Sequence, residues 1–146
     1  MIEIIKFERE HLNDVYAIEE DSFSIPWSKH ELEKDAFENK LSIYLLALFE
    51  GEVAGYVGMW HVVNEGHITN IAVKKEYRGN GIGDKLIKQL INIAIEKEMI
   101  GITLEVRMNN APAQKLYANN GFKIEGLRKN YYKDTKEDAI IMWRYL

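Results

Sequence analysis

The chain has 146 residues, 47% of them hydrophobic and 29% charged, which predicts a single soluble globular domain over residues 1–146. Its formal net charge of −4 argues against direct nucleic-acid binding and is compatible with a cationic partner, such as an amine or a basic peptide. The absence of cysteine excludes disulfides, thiol nucleophiles and cysteine-ligated zinc; four histidines without ligand spacing predict no metal; and the lack of a long apolar run or a signal-peptide pattern predicts a cytoplasmic protein without membrane contact.

Ile2–Phe7 predicts a first strand, and His11–Phe23 a helix with Leu12, Val15 and Ile18 inward. The run Glu19-Glu20-Asp21 in that helix reads as a solvated face, with attraction of a basic peptide tail as the alternative. Ser24-Ile25-Pro26-Trp27 is a break. Ser28-Lys29-His30-Glu31 fits a capping box and starts a second helix, with Leu32 and Phe37 as apolar contacts. Ile43–Phe49 and Val53–Trp60 read as strands joined at Glu50-Gly51-Glu52. Asn64-Glu65-Gly66 turns into a strand that ends at Val73. A helix then runs to about Lys97, and Ile102–Arg107 alternates as a strand. Asn109-Asn110-Ala111-Pro112 opens a short helix, which Asn119-Asn120-Gly121 closes. Phe122–Arg128 and Ala139–Leu146 are the last strands, separated by a polar loop holding Tyr131 and Tyr132. The order β-α-α-β-β-β-α-β-α-β-β is that of a mixed α/β domain.

Between the strand ending at Val73 and the following helix lies Arg78-Gly79-Asn80-Gly81-Ile82-Gly83. Three glycines let the backbone approach a ligand with its N–H groups turned inward. The helix start adds unpaired N–H groups and the positive end of the dipole, which makes a seat for phosphate. No Lys-Ser or Lys-Thr follows Gly83, so this is not a P-loop; glycines at 79, 81 and 83 do not fit the dinucleotide fingerprint either. Taken alone, the segment reads equally as a glycine-rich turn before a helix.

The segment matches Arg/Gln-x-x-Gly-x-Gly/Ala, and its position after the fourth strand resembles the GNAT acetyltransferases, which bind acetyl-coenzyme A. Seven further blocks fall in order along the chain: Ile25-Pro26-Trp27-Ser28, Asn70-Ile71-Ala72-Val73, Leu104-Glu105-Val106-Arg107, Asn109-Asn110-Ala111, Leu116-Tyr117 with Gly121-Phe122, Arg128-Lys129-Asn130-Tyr131-Tyr132, and Glu137-Asp138-Ala139. Together they are similar to the bacterial ribosomal-protein-alanine N-acetyltransferases over essentially the whole chain. The resemblance implies a GNAT fold, with a central mixed, mostly antiparallel seven-stranded sheet flanked by about four helices. It also implies an acceptor: the N-terminal alanine of the eighteenth protein of the small ribosomal subunit.

Residue by residue, the resemblance implies that the backbone of Ile71, Ala72 and Val73 holds the acetyl and pantetheine end of acetyl-CoA. Arg78, Gly79, Asn80, Gly81, Ile82, Gly83 and Asp84 would hold the pyrophosphate, and Asn110 the pantetheine arm. Glu105 would be the general base and Tyr117 the general acid. Pro26, Trp27, Asn70, Tyr131 and Tyr132 would line the peptide groove. Asp84 stands where relatives often carry a basic residue, which puts a side-chain phosphate contact there in doubt.

The chemistry needs these residue types. An N-terminal amine, with a pKa of about 7.7–8.0, is mostly ammonium at neutral pH, and a carboxylate can remove its proton. Strand alternation sets Glu105 opposite Leu104 and Val106. By pattern alone it also reads as a solvent-facing glutamate with a nearby Arg, and Tyr117 as an aromatic packed beside Leu116. A tyrosine hydroxyl can protonate a departing thiolate, and a strand N–H freed by a distortion near Asn70–Val73 can bind the oxyanion; the resemblance, not the sequence pattern, implies such a splay between the fourth and fifth strands. With no cysteine and no triad-like Ser or Thr, direct transfer in a ternary complex is expected over an acyl-enzyme. Other readings are a GNAT acetylating other N-termini, lysines or small amines, and a non-catalytic acyl-CoA-binding module.

Overall fold

The expected order of elements is found in the computed structural model, which describes residues 1–146. The strands are β1 (Ile2–Lys6), β2 (Ser42–Phe49), β3 (Glu52–Val62), β4 (Glu65–Val73), β5 (Gly101–Arg107), β6 (Lys123–Arg128) and β7 (Ala139–Tyr145). They form one seven-stranded sheet in the order β1-β2-β3-β4-β5-β7-β6. The helices are α1 (Leu12–Ser22), α2 (Lys29–Phe37), α3 (Ile82–Glu96) and α4 (Ala111–Asn119).

Apolar spacing decides which helix covers which face. Ile82, Leu86, Ile87, Leu90, Ile91 and Ala94 recur at helical period and are buried along α3. With Tyr117 of α4 they pack on Val57, Ile102, Leu104 and Met142 of the sheet. On the opposite face, Leu12, Val15, Ile18 and Leu32 of α1 and α2 pack on Tyr44, Leu46, Tyr56 and Ala72. Each fully buried Leu, Ile, Val or Met among them stabilises the fold by about 1.5–3 kcal/mol relative to exposure. The Ser28 hydroxyl accepts the Glu31 N–H, and the Glu31 carboxylate accepts the Ser28 N–H, so the expected capping box starts α2.

One expectation is overturned in α1. Glu19 is 2% exposed, not part of a solvated face. The helical period explains it: Glu19 lies four residues after Val15 and seven after Leu12, on the stripe that meets the sheet.

The feature that shapes the site is in the middle of the sheet. Every neighbouring pair of strands is antiparallel except β4 and β5. That parallel pair joins only Glu65, Gly66 and His67 to Gly101, Ile102 and Thr103. Both strands then run on, to Val73 and Arg107, without pairing to each other. The register of β3 on β4 slips at the same level. Met59 faces Ile68 and Gly58 faces Asn70, which leaves Thr69 as the extra residue of a β-bulge.

Candidate active site

The unpaired stretch of β4 presents backbone groups to the gap. Lys74 N–H bonds to Ala54 O at 2.7 Å, so the alternation of an antiparallel pair turns Ala72 toward β3 and Ile71 and Val73 away from it. The Val73 carbonyl instead accepts from Arg78 Nε at 3.1 Å. This ties Arg78 to the end of the strand and fixes the start of the glycine loop.

The loop itself adopts backbone that only glycine takes cheaply. Gly79 and Gly81 have φ of +83° and +78°, and a Cβ on either would meet no atom within 4 Å. The glycines therefore serve conformation and leave open space over the loop. Gly81 caps α3 without a side chain, and the first intrahelical bond runs from Lys85 N–H to Gly81 O at 3.1 Å. The N–H groups of Ile82, Gly83 and Asp84 have no carbonyl one turn back. The Asn80 amide donates to Tyr77 O at 2.9 Å and holds the loop from its other side. The Asp84 carboxylate is turned from the loop, accepting from Lys88 Nζ at 2.5 Å and Asn120 Nδ2 at 2.9 Å. These bonds, Lys88 first, hold its carboxyl below the usual range. Only the backbone of Asp84 is offered to a ligand, and Lys88 is already engaged. A gap edged with free N–H groups, leading to an open phosphate seat, fits a thin chain ending in a pyrophosphate.

Glu105 lies where alternation placed it. Leu104 and Val106 are buried on the α3 side, and Glu105 emerges half-buried on the other. Its charge partner is not the nearby Arg107. Arg128, at the end of β6, places Nε 3.5 Å from Glu105 Oε1. Arg107 is taken by the β6–β7 loop. Its guanidinium meets both Asp134 oxygens at 3.0 and 3.1 Å, reaches Glu137 at 3.4 Å, and stacks 4.0 Å over the Tyr132 ring. The loop aromatics are thereby fixed in position: Tyr131 meets Tyr132 edge to face at 5.1 Å. Burial pushes the Tyr132 hydroxyl up to about 12, against the pull of Arg107, with Glu105 adding to the rise.

Tyr117 packs its ring 5.8 Å from Phe122 within the α3-side core. Its hydroxyl makes no hydrogen bond to the protein and is not sealed from solvent. Burial raises its pKa, and Tyr132 adds a smaller push in the same direction. Glu105 and Tyr117 thus lie toward opposite faces of the sheet.

The two loops expected as groove walls touch each other: the Ser24 hydroxyl donates to Asp134. Tyr131 is 46% exposed, whereas Pro26 and Trp27 are half-buried and Trp27 packs against the α1–α2 core. Trp27 also lines a cavity of about 500 Å³ with Glu31, Lys34, Asp35, Glu38 and Asn39. Asn70 is placed differently, 9% exposed beneath the sheet surface. Its amide donates to Glu19 and Tyr56 at 3.4 and 3.3 Å, and its carbonyl accepts from Thr69 at 2.8 Å. Asn110 uses its side-chain oxygen to cap α4, accepting Ala113 N–H at 3.2 Å.

Three contributors are not assigned by sequence reasoning. Glu19 is hidden in a charge run, although its phase with Leu12 and Val15 marks it as inward. Arg107 and Arg128 find their partners 27 and 23 residues away, which no local pattern encodes.

A family profile described as Acetyltransferase (GNAT) family matches residues 12–122. A Bacillus subtilis (strain 168) protein, provisionally named a ribosomal protein bS18-alanine N-acetyltransferase, is 44% identical over 134 residues, covering 92% of this chain and 89% of that protein. The crystal structure of the ribosomal-protein-S18-alanine N-acetyltransferase from Escherichia coli superposes with a TM-score of 0.91 and 31% identity, over 99% of this chain and 94% of that one. A provisionally named streptothricin acetyltransferase from Bacillus anthracis, solved in complex with acetyl coenzyme A, superposes with a TM-score of 0.79 and 27% identity, over 100% of this chain and 99% of that one.

Proposed function

Because the chain belongs to the GNAT acetyltransferase family, we propose that it transfers the acetyl group of acetyl-CoA to the N-terminal α-amine of a protein, with the N-terminal alanine of ribosomal protein bS18 as acceptor. The observation that carries this reading is the parting of β4 and β5 beyond His67 and Thr103, with Glu105 on the strand that leaves β4.

Acetyl-CoA supplies an acyl group already activated as a thioester. The N–H groups of Gly79 to Asp84 hold its pyrophosphate, and the free edge of β4 at Ile71 and Val73 holds the arm and the acyl oxygen, while the backbone of Ala72, expected to share that role, is paired to β3. Asn110 offers its free amide N–H groups to the arm. A fixed N–H facing the gap stabilises negative charge on the acyl oxygen as it develops, because the dipole needs no reorientation during the reaction. Glu105 removes the proton that keeps the α-amine from attacking. Before that transfer the incoming ammonium takes the place of Arg128 on this carboxylate, one cation exchanging for another. Burial keeps Tyr117 protonated throughout the neutral range, so its hydroxyl is always available as a donor. It is a weaker acid than a thiol, so it hydrogen-bonds the sulfur as the C–S bond breaks and passes its proton on only as the second proton of the amine nitrogen, lost when the amide forms, replaces it. Trp27, Tyr131 and Tyr132 flank the acceptor's first residues.

The test is mass spectrometry of peptides incubated with the protein and acetyl-CoA. One peptide starts with the alanine of bS18; the other is blocked at its α-amine and retains lysines. The proposal expects acetylation of the free α-amine and none on the blocked peptide. Acetylation of lysine alone would overturn the α-amine assignment, and no product on either would overturn the acceptor class.

A further inference from the structure

We propose that Glu19 is a positioning residue for the acceptor side of the site, holding the Pro26–Trp27 wall against the bulged stretch of β4. The inference rests on the reading above that this wall borders the acceptor.

Glu19 is nearly sealed inside the protein, and each of its oxygens has a separate task. Oε2 accepts the backbone N–H of Trp27 at 3.0 Å. Oε1 accepts the Tyr56 hydroxyl from β3 and the Asn70 amide from β4. Asn70 in turn receives the hydroxyl of Thr69, the bulge residue. One carboxylate therefore links α1, the central strands and the α1–α2 loop.

That linkage is the loop's backbone anchor, beside the packing of the Trp27 ring on the α1–α2 core. Among residues 24–27, the Trp27 N–H is the one backbone group hydrogen-bonded to the rest of the protein. The other tie is the Ser24 hydroxyl on Asp134, which joins two loops rather than a loop and the sheet. If α1 needed only adhesion to the sheet, an apolar side chain among Val15, Ile18 and Tyr56 would supply it without the cost of desolvating a carboxylate. What a carboxylate adds is geometry: two oxygens of fixed separation set the distance between the loop backbone and the bulge. Asn70 thus bears on the acceptor through Glu19 and the loop, not by reaching into the groove.

Glu19→Gln separates the two ends of the link. Two donors, Tyr56 and Asn70, face the sheet end against one at the loop, so the remaining carbonyl stays on the sheet and the new NH2 group meets the Trp27 N–H donor to donor. The sheet end survives and the loop end is released. The expected result is a roughly tenfold rise in KM for the alanine-initiated peptide, the scale of one charge-assisted hydrogen bond, with KM for acetyl-CoA and kcat changed less than about twofold. Equal rises in both KM values, or none, would overturn the proposal, because a purely structural role loosens the whole fold. Amide hydrogen exchange on the wild-type protein gives a readout that needs neither a folded variant nor activity. Trp27 N–H is expected to exchange as slowly as the β4 amides that are bonded to β3, and far more slowly than Ile25. Exchange of Trp27 at the rate of Ile25 would overturn the anchor directly. If the wild-type protein acetylates no α-amine while Trp27 is protected, the acceptor reading fails and the anchor stands.

Discussion

At position 105, glutamine keeps the shape of glutamate and removes its ability to take a proton. Glu105→Gln should lower kcat/KM by roughly 10²–10⁴-fold, the usual worth of a general base, and leave the thermal midpoint unchanged. Stability is spared because the substitution weakens only a half-exposed ion pair with Arg128, of a kind that contributes little. Initial rates and a melting curve on the same preparation check both halves.

Asp134 makes a pH-dependent prediction. Its bond from Ser24, then that from Arg107, hold its carboxyl down at about 2. A folded-state pKa below the unfolded value means that the group contributes stability above the unfolded pKa, about 3.9, and loses it as pH falls through the folded value. Melting curves of wild type and Asp134→Asn should differ above about pH 4 and converge toward about pH 2. A difference that grows on acidification would contradict the assigned partners.

The same scale shows what is readable from sequence. Glu105 is legible because strand alternation alone sets it opposite Leu104 and Val106. Its partner is not, because the nearby Arg107 is drawn into the Asp134–Glu137 loop and a distant arginine takes its place. Glu19 is misread when composition outweighs phase: two acidic neighbours suggest solvent, while the helical period points it inward.

Among the elements, β3 and β4 depend on a close approach. A Cβ on Gly58 would lie 2.6 Å from Asn70 Oδ1 and 2.7 Å from the Tyr44 ring. Gly58→Ala should therefore cost about 1–3 kcal/mol, as overpacking does, and should displace Asn70 beside the bulge. Denaturant unfolding reads the stability loss. An unchanged midpoint would mean that the strands are not so closely fitted. The elements themselves are legible, since capping residues, turn glycines and apolar period all agree locally. The bulge at Thr69 and the parting of β4 from β5 are not. Both depend on how two strands far apart in sequence are paired, and neither strand's own pattern changes where the pairing stops.

For the molecule as a whole, the gap between β4 and β5 leaves the sheet incomplete where other sheets hold a ladder of hydrogen bonds. A ligand that completes this edge binds only the folded state and must stabilise it. Coenzyme A at a hundred times its dissociation constant should add about 2.7 kcal/mol, seen as a raised thermal midpoint. An unchanged midpoint at saturating coenzyme A would remove the gap and the glycine loop from the account together.

The most direct measurement is the structure of this protein with a conjugate joining coenzyme A, through an acetyl link, to the α-amine of an alanine-initiated peptide. The link is expected between β4 and β5, with its oxygen on the N–H of Ile71 or Val73, Glu105 at the peptide nitrogen, and the peptide leaving past Trp27 and Tyr131. A conjugate whose link lies outside that gap, or whose nitrogen is remote from Glu105, would contradict this placement.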